Sequence, residues 1–184
     1  MIRVIVVAAA AVGVVGLGVV SARAAMQVAP IRVGSPAPDF ELRDQDNAKR
    51  RLSSAPGKFV VLTFYPADAT PGCTLEARSI RDGLNDLKDR GITVFGVSVQ
   101  DVASKRAFCD KESLNYPILA DTGAKVANAY GVRMPVGLAQ RVTFIVSRKG
   151  KRATVRGVIE SVDVKNHARQ IIDAVTELQS AQHP

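Results

Sequence analysis

The sequence predicts an α/β protein in which a mixed sheet is covered by helices on both faces. Three observations carry that expectation. Apolar, largely β-branched runs at residues 59–64, 92–99 and 142–146 have the length and composition of buried strands. Helical spacing alternates with those runs: Ile80, Leu84 and Leu87 recur after the first, and residues 102–114 follow the second. The chain then closes with a strand pair around a charged, glycine-containing turn and a last helix, which adds antiparallel neighbours to a parallel core.

In chain order, residues 34–42 read as a lead-in loop to a short strand, and residues 44–47 as a turn. Residues 59–64 are the central strand. Pro66, Pro71 and Gly72 punctuate the connection to the helix that follows. After Gly91 come the strand 92–99, the helix 102–114, an extended piece at 116–120 and a short helix over 122–130. Residues 142–146 and 152–158 flank a turn at 147–151, and the final helix covers 162–178, with Ile171, Ile172, Val175 and Leu178 on one stripe. One domain over 34–184 is expected, joined by a linker at 25–33 to an N-terminal segment.

That segment, residues 1–24, carries Arg3, seventeen residues without a polar side chain, and Ala22-Arg23-Ala24 before the linker. A basic start, an apolar middle and small residues at the end form a signal-peptide plan, so export to the periplasm is expected. The alternative is an uncleaved anchor facing the periplasm, since a span needs about 20 apolar residues. The formal net charge of +8 falls to +6 without Arg3 and Arg23, because all acidic residues lie later. The excess is diffuse. Its clusters, Lys49-Arg50-Arg51 and Arg148 to Arg152, sit among turn-forming residues, with no aromatic platform beside them, and nucleic acid is not an expected partner. With His167 and His183 the only histidines, no metal-ligand cluster or other cofactor site is expected.

Chemistry is concentrated at the start of the helix after residue 64. Cys73 falls at or just inside that helix, where unpaired backbone N–H groups and the positive end of the helix dipole favour a thiolate. Thr70 supplies a hydroxyl one turn upstream and Pro66 a rigid wall. The string Pro66-x-Asp68-x-Thr70-Pro71-Gly72-Cys73-Thr74-x-Glu76 resembles the active-site signature of peroxiredoxins, and in particular of their bacterioferritin-comigratory, type Q branch. The likeness runs from Gly34 to the C-terminus.

The resemblance implies a thioredoxin-like fold and a thiol peroxidase acting on hydrogen peroxide and organic hydroperoxides. It implies that Cys73 is the nucleophile, with Thr70 and the backbone around Gly72 as hydrogen-bonding groups and Pro66 as a shield. It places the family's active-site arginine at Arg141, in an Arg-x-Thr-Phe pattern, with Glu76 in a secondary role. The implied partner is a thioredoxin-like or other dithiol reductant, and a monomer is expected. The family's common resolving cysteine, five residues after the first, is absent, since Arg78 stands there. A second variant places that cysteine in the following helix, where Cys109 lies. On a helical wheel Cys109 shares a face with Lys105, Arg106 and Ser113, apart from a stripe of Ala107 and Phe108, so an accessible thiol made more acidic by two cations is expected. Two alternatives remain: a one-cysteine peroxidase in which Cys109 has no catalytic part, and a protein thiol–disulfide oxidoreductase.

Overall fold

Every side chain of Phe59–Phe64 is buried, which a strand achieves only where both faces of its sheet are covered. The computed structural model describes residues 31–150 and 152–181, so the expected signal segment and most of the linker lie outside the described residues. No helix among the described residues is long and apolar enough to cross a membrane.

The strands are β1 (Glu41–Asp44), β2 (Lys49–Arg51), β3 (Phe59–Phe64), β4 (Ile92–Ser98), β5 (Ile118–Ala120), β6 (Val142–Lys149) and β7 (Arg152–Ile159). They form one seven-stranded sheet in the order β2-β1-β5-β4-β3-β6-β7. β3 pairs in parallel with β4, and β4 with β5, while the other pairs are antiparallel. The helices are α1 (Pro71–Asp82), α2 (Leu84–Asp89), α3 (Val102–Glu112), α4 (Lys125–Ala129) and α5 (His167–Ser180). Because side chains alternate along a strand, Val61 and Tyr65 face one apolar cluster with Ile80, Leu87, Phe108 and Ile171. Val60, Leu62 and Phe64 face a second with Leu119, Val126 and Tyr130.

The helix after β3 is interrupted where one continuous apolar stripe was read. Gly83 ends α1 and leads into α2, and a β-carbon there would lie 2.5 Å from Ala168 Cβ, so α5 packs directly on the break. The turn expected over 147–151 is shorter, because Lys149 pairs with Arg152 and Gly150 takes a φ of 61°, the left-handed value of a tight hairpin. The two basic runs lie largely in strands and not in turns. Lys49–Arg51 is an edge strand whose cations meet β1: Lys49 and Arg51 pair with Glu41, and Arg50 with the buried Asp44.

Candidate active site

Cys73 is the third residue of α1, at the mouth of the parallel core. Thr70 occupies the N-cap position in an extended conformation, and Pro71 begins the helix, where its missing N–H is of no consequence. Thr74 N–H is bonded 2.8 Å to Thr70 O, so the N–H groups of Gly72 and Cys73 lie before the helical ladder, at the positive end of the helix. The Thr70 hydroxyl makes no capping bond; it donates 3.2 Å to Ala67 O and is exposed. Before it, Ala69 has a φ of 58°, a conformation that costs a non-glycine residue about 1–2 kcal/mol.

That bend is held from below. Asp68, five residues before Cys73, accepts bonds from Tyr65 Oη at 2.6 Å and Ser104 Oγ at 2.6 Å. Lys105 Nζ lies 3.0 Å from each of its carboxylate oxygens and also meets Ser98 Oγ. Lys105 is completely buried, with its ammonium 5.4 Å over the Tyr65 ring. Pro66 is half-buried, and its carbonyl faces Gln100 Nε2 at 3.5 Å.

Arg141, immediately before β6, reaches across to the start of α1. Its Nη2 donates 3.2 Å to Cys73 Sγ and its Nη1 is bound to Glu76. Gly72 lies directly under this approach, and a β-carbon there would just touch Nη2 at 3.4 Å. Glu76 stands one turn after Cys73 on the same helix face. Its other oxygen lies 3.0 Å from Nδ1 of the buried His167, at an angle that makes no hydrogen bond, while His167 Nε2 is 3.0 Å from Thr143 Oγ1. A carboxylate so close favours a protonated ring, but Glu76 is already matched by Arg141. Burial first, and the Arg141 charge second, bring the imidazole down to about 4, so it is neutral at pH 7. The sequence reading gave His167 no part; its burial under α1 has no local sequence signal. Lys105 was equally hidden, because a charged residue on a helix is ordinarily solvated.

Cys109 does not have the expected surroundings. It is buried, not accessible, and Ala107 is exposed while Phe108 and Cys109 pack into the same cluster as Cys73. Both thiols are free. Burial pushes the Cys109 thiol up to about 12, assisted by Asp68, Asp110 and Asp46 and opposed by Arg106. The expected acidifying cations fail for a physical reason: Lys105 is buried against Asp68, and Arg106 turns to Asp46. Among the described residues no cluster of three or more potential metal ligands occurs.

The profile of the AhpC/TSA family matches residues 33–154. The chain belongs to this family. It is 44% identical over 119 residues to the chloroplastic peroxiredoxin Q of Triticum aestivum, a match covering 64% of this chain and 55% of that one. The chain thus spans little more than half the length of that curated relative. The solved peroxidoxin BcpB of Mycobacterium tuberculosis is 34% identical, with a TM-score of 0.70 over 82% of this chain and 97% of that chain. The bacterioferritin comigratory protein of Xanthomonas campestris, solved in a study of its alkyl peroxide reduction activity, is 26% identical, with a TM-score of 0.67 over 75% and 90%. The fold of this AhpC/TSA protein is the thioredoxin-like, peroxiredoxin-type one, with Cys73 at its first long helix.

Proposed function

We propose that this protein is an exported thiol peroxidase for hydrogen peroxide and small organic hydroperoxides. The Cys73 sulfur attacks the terminal peroxide oxygen; the O–O bond breaks, Cys73 becomes a sulfenic acid, and the departing oxygen leaves as water or an alcohol after protonation. Arg141 steadies the sulfur and the developing charge on oxygen, the N–H groups of Gly72 and Cys73 assist, and Glu76 holds Arg141 in place. Pro66 shields the sulfur and Thr70 orients the peroxide. The observation that carries the reading is the 3.2 Å contact of Arg141 with Cys73 Sγ at a helix start.

In the second step the Cys109 thiol displaces hydroxide from the Cys73 sulfenic acid; a disulfide forms, water is released, and an external dithiol protein returns both thiols. The plan of residues 1–24 supports export, with the segment either cleaved or kept as an anchor. A short edge strand made of Lys49, Arg50 and Arg51 discourages edge-to-edge pairing and supports a monomer. The second reading, a one-cysteine enzyme, is favoured by the burial of Cys109 and its poorly acidic thiol. A protein disulfide oxidoreductase fits less well, because Cys73 is only 2% exposed and a bulky disulfide cannot reach it in this conformation. Peroxide consumption with a dithiol reductant, measured for the wild type, Cys73→Ser and Cys109→Ser, tests all three.

A further inference from the structure

α3, the helix that carries Cys109, is tied at both ends to the segment that carries Cys73. Toward its N-terminal end, Lys105 and Ser104 grip Asp68 in the loop before α1, through a fully buried ammonium and a carboxylate only 6% exposed. At its C-terminal end, Glu112 is held by Arg78 of α1, with Nε at 2.7 Å and Nη2 at 2.6 Å, and the Glu112 carbonyl accepts from Arg81 Nη1 at 2.6 Å. Cys109 lies between the two ties, one turn beyond Lys105. A further contact of α3, from Arg106 to Asp46, joins two half-exposed side chains and contributes little.

Both ties end on residues 68–81, so they oppose any local departure of α3 from α1. We propose that Lys105 and Arg78 are positioning residues for the second step, whose ties to Asp68 and Glu112 keep Cys109 buried and set how long the Cys73 sulfenic acid persists. This rests on the reading of Cys109 as the resolving thiol. Cys109 Sγ joins Cys73 Sγ, and the hydroxyl leaves with the thiol proton as water, only in the fraction of molecules whose α3 has opened. Arg78 stands at the position of the family's other resolving cysteine, and here it latches the helix that replaces it. Longer-lived sulfenic acid is more readily driven to sulfinic acid by a second peroxide, so the same ties govern sensitivity to over-oxidation.

The Arg78 tie ends on Glu112 and not on the bend before Cys73, which lets its effect on the second step be separated from the first. Reduced protein is mixed with one equivalent of hydrogen peroxide, rapidly quenched, and its sulfenic acid and disulfide are followed by intact mass, with amide exchange measured over residues 102–112. Arg78→Ala is expected to form sulfenic acid at the wild-type rate, whereas Lys105→Met, which also frees the bend before Cys73, is scored on its disulfide step alone. Disulfide is expected to form about tenfold faster in Arg78→Ala, in keeping with the loss of hydrogen bonds to a charged group, and exchange is expected to quicken. Arg78→Lys restores much of the wild-type rate. Glu112→Gln releases the Arg78 tie from its other end without burying an unpaired charge, and is expected to quicken the disulfide in the same way. Faster exchange with an unchanged or slower disulfide rate overturns the proposal alone. A wild type that forms no disulfide overturns the reading of Cys109, and the proposal with it.

Discussion

Arg141 touches the Cys73 sulfur at 3.2 Å with one amino group while Glu76 holds the other. The cation is therefore placed before any peroxide arrives, so its charge needs no reorganisation when an oxyanion develops. Arg141→Ala is expected to slow peroxide reduction by about 10²-fold, the usual loss when one such donor is removed. Arg141→Lys is expected to recover only part of it, because an ammonium lacks the fork that spans sulfur and Glu76. Stopped-flow second-order rate constants, with circular dichroism to verify folding, check both.

Cys109 is expected to be inert in the folded, reduced protein. Its thiol is pushed up to about 12 by burial, so in Cys73→Ser it resists alkylation at pH 8 and reacts when urea unfolds the chain. Mass spectrometry after timed iodoacetamide treatment reads this directly, and rapid labelling of the native variant would contradict the burial.

His167 makes the fold sensitive to mild acid. Its imidazole falls from 6.5 to about 4 in the folded state, so between those values the unfolded chain takes up a proton that the folded chain refuses. Its contribution is therefore complete above pH 6.5 and is lost progressively as pH falls toward 4. The urea midpoint is expected to drop from pH 7 to pH 5, and to drop less in His167→Gln, even though that variant is weaker at pH 7 through the loss of the Thr143 partner.

The α/β class and the order of elements were legible because they rest on local periodicity: the buried run of β3, the stripe of Ile171, Ile172 and Val175, and the hairpin of β6 and β7 are all written in neighbouring residues. The string from Pro66 to Glu76 was legible for the same reason. What was not legible depends on contacts distant in sequence. The break at Gly83 is packed on by Ala168 of α5; the basic run at Lys49 is different, a local strand opposite Glu41 and Asp44 that was misread because three successive cations look like a solvated turn. The orientation of α3 was misread because Lys105 looks solvated in sequence and is buried only through Asp68, 37 residues away. Rotating α3 by that one residue's demand carries Cys109 inward.

The central claim is that Cys73 is the thiol that meets peroxide, and single-turnover mass spectrometry tests it most directly. Reduced wild type, Cys73→Ser and Cys109→Ser each receive one equivalent of hydrogen peroxide, and intact mass and residual peroxide are recorded. Wild type is expected to consume the peroxide and become about two mass units lighter, and Cys109→Ser to consume it and gain about sixteen as sulfenic acid. Cys73→Ser is expected to leave both peroxide and mass unchanged; its oxidation at a rate near that of the wild type would contradict the account.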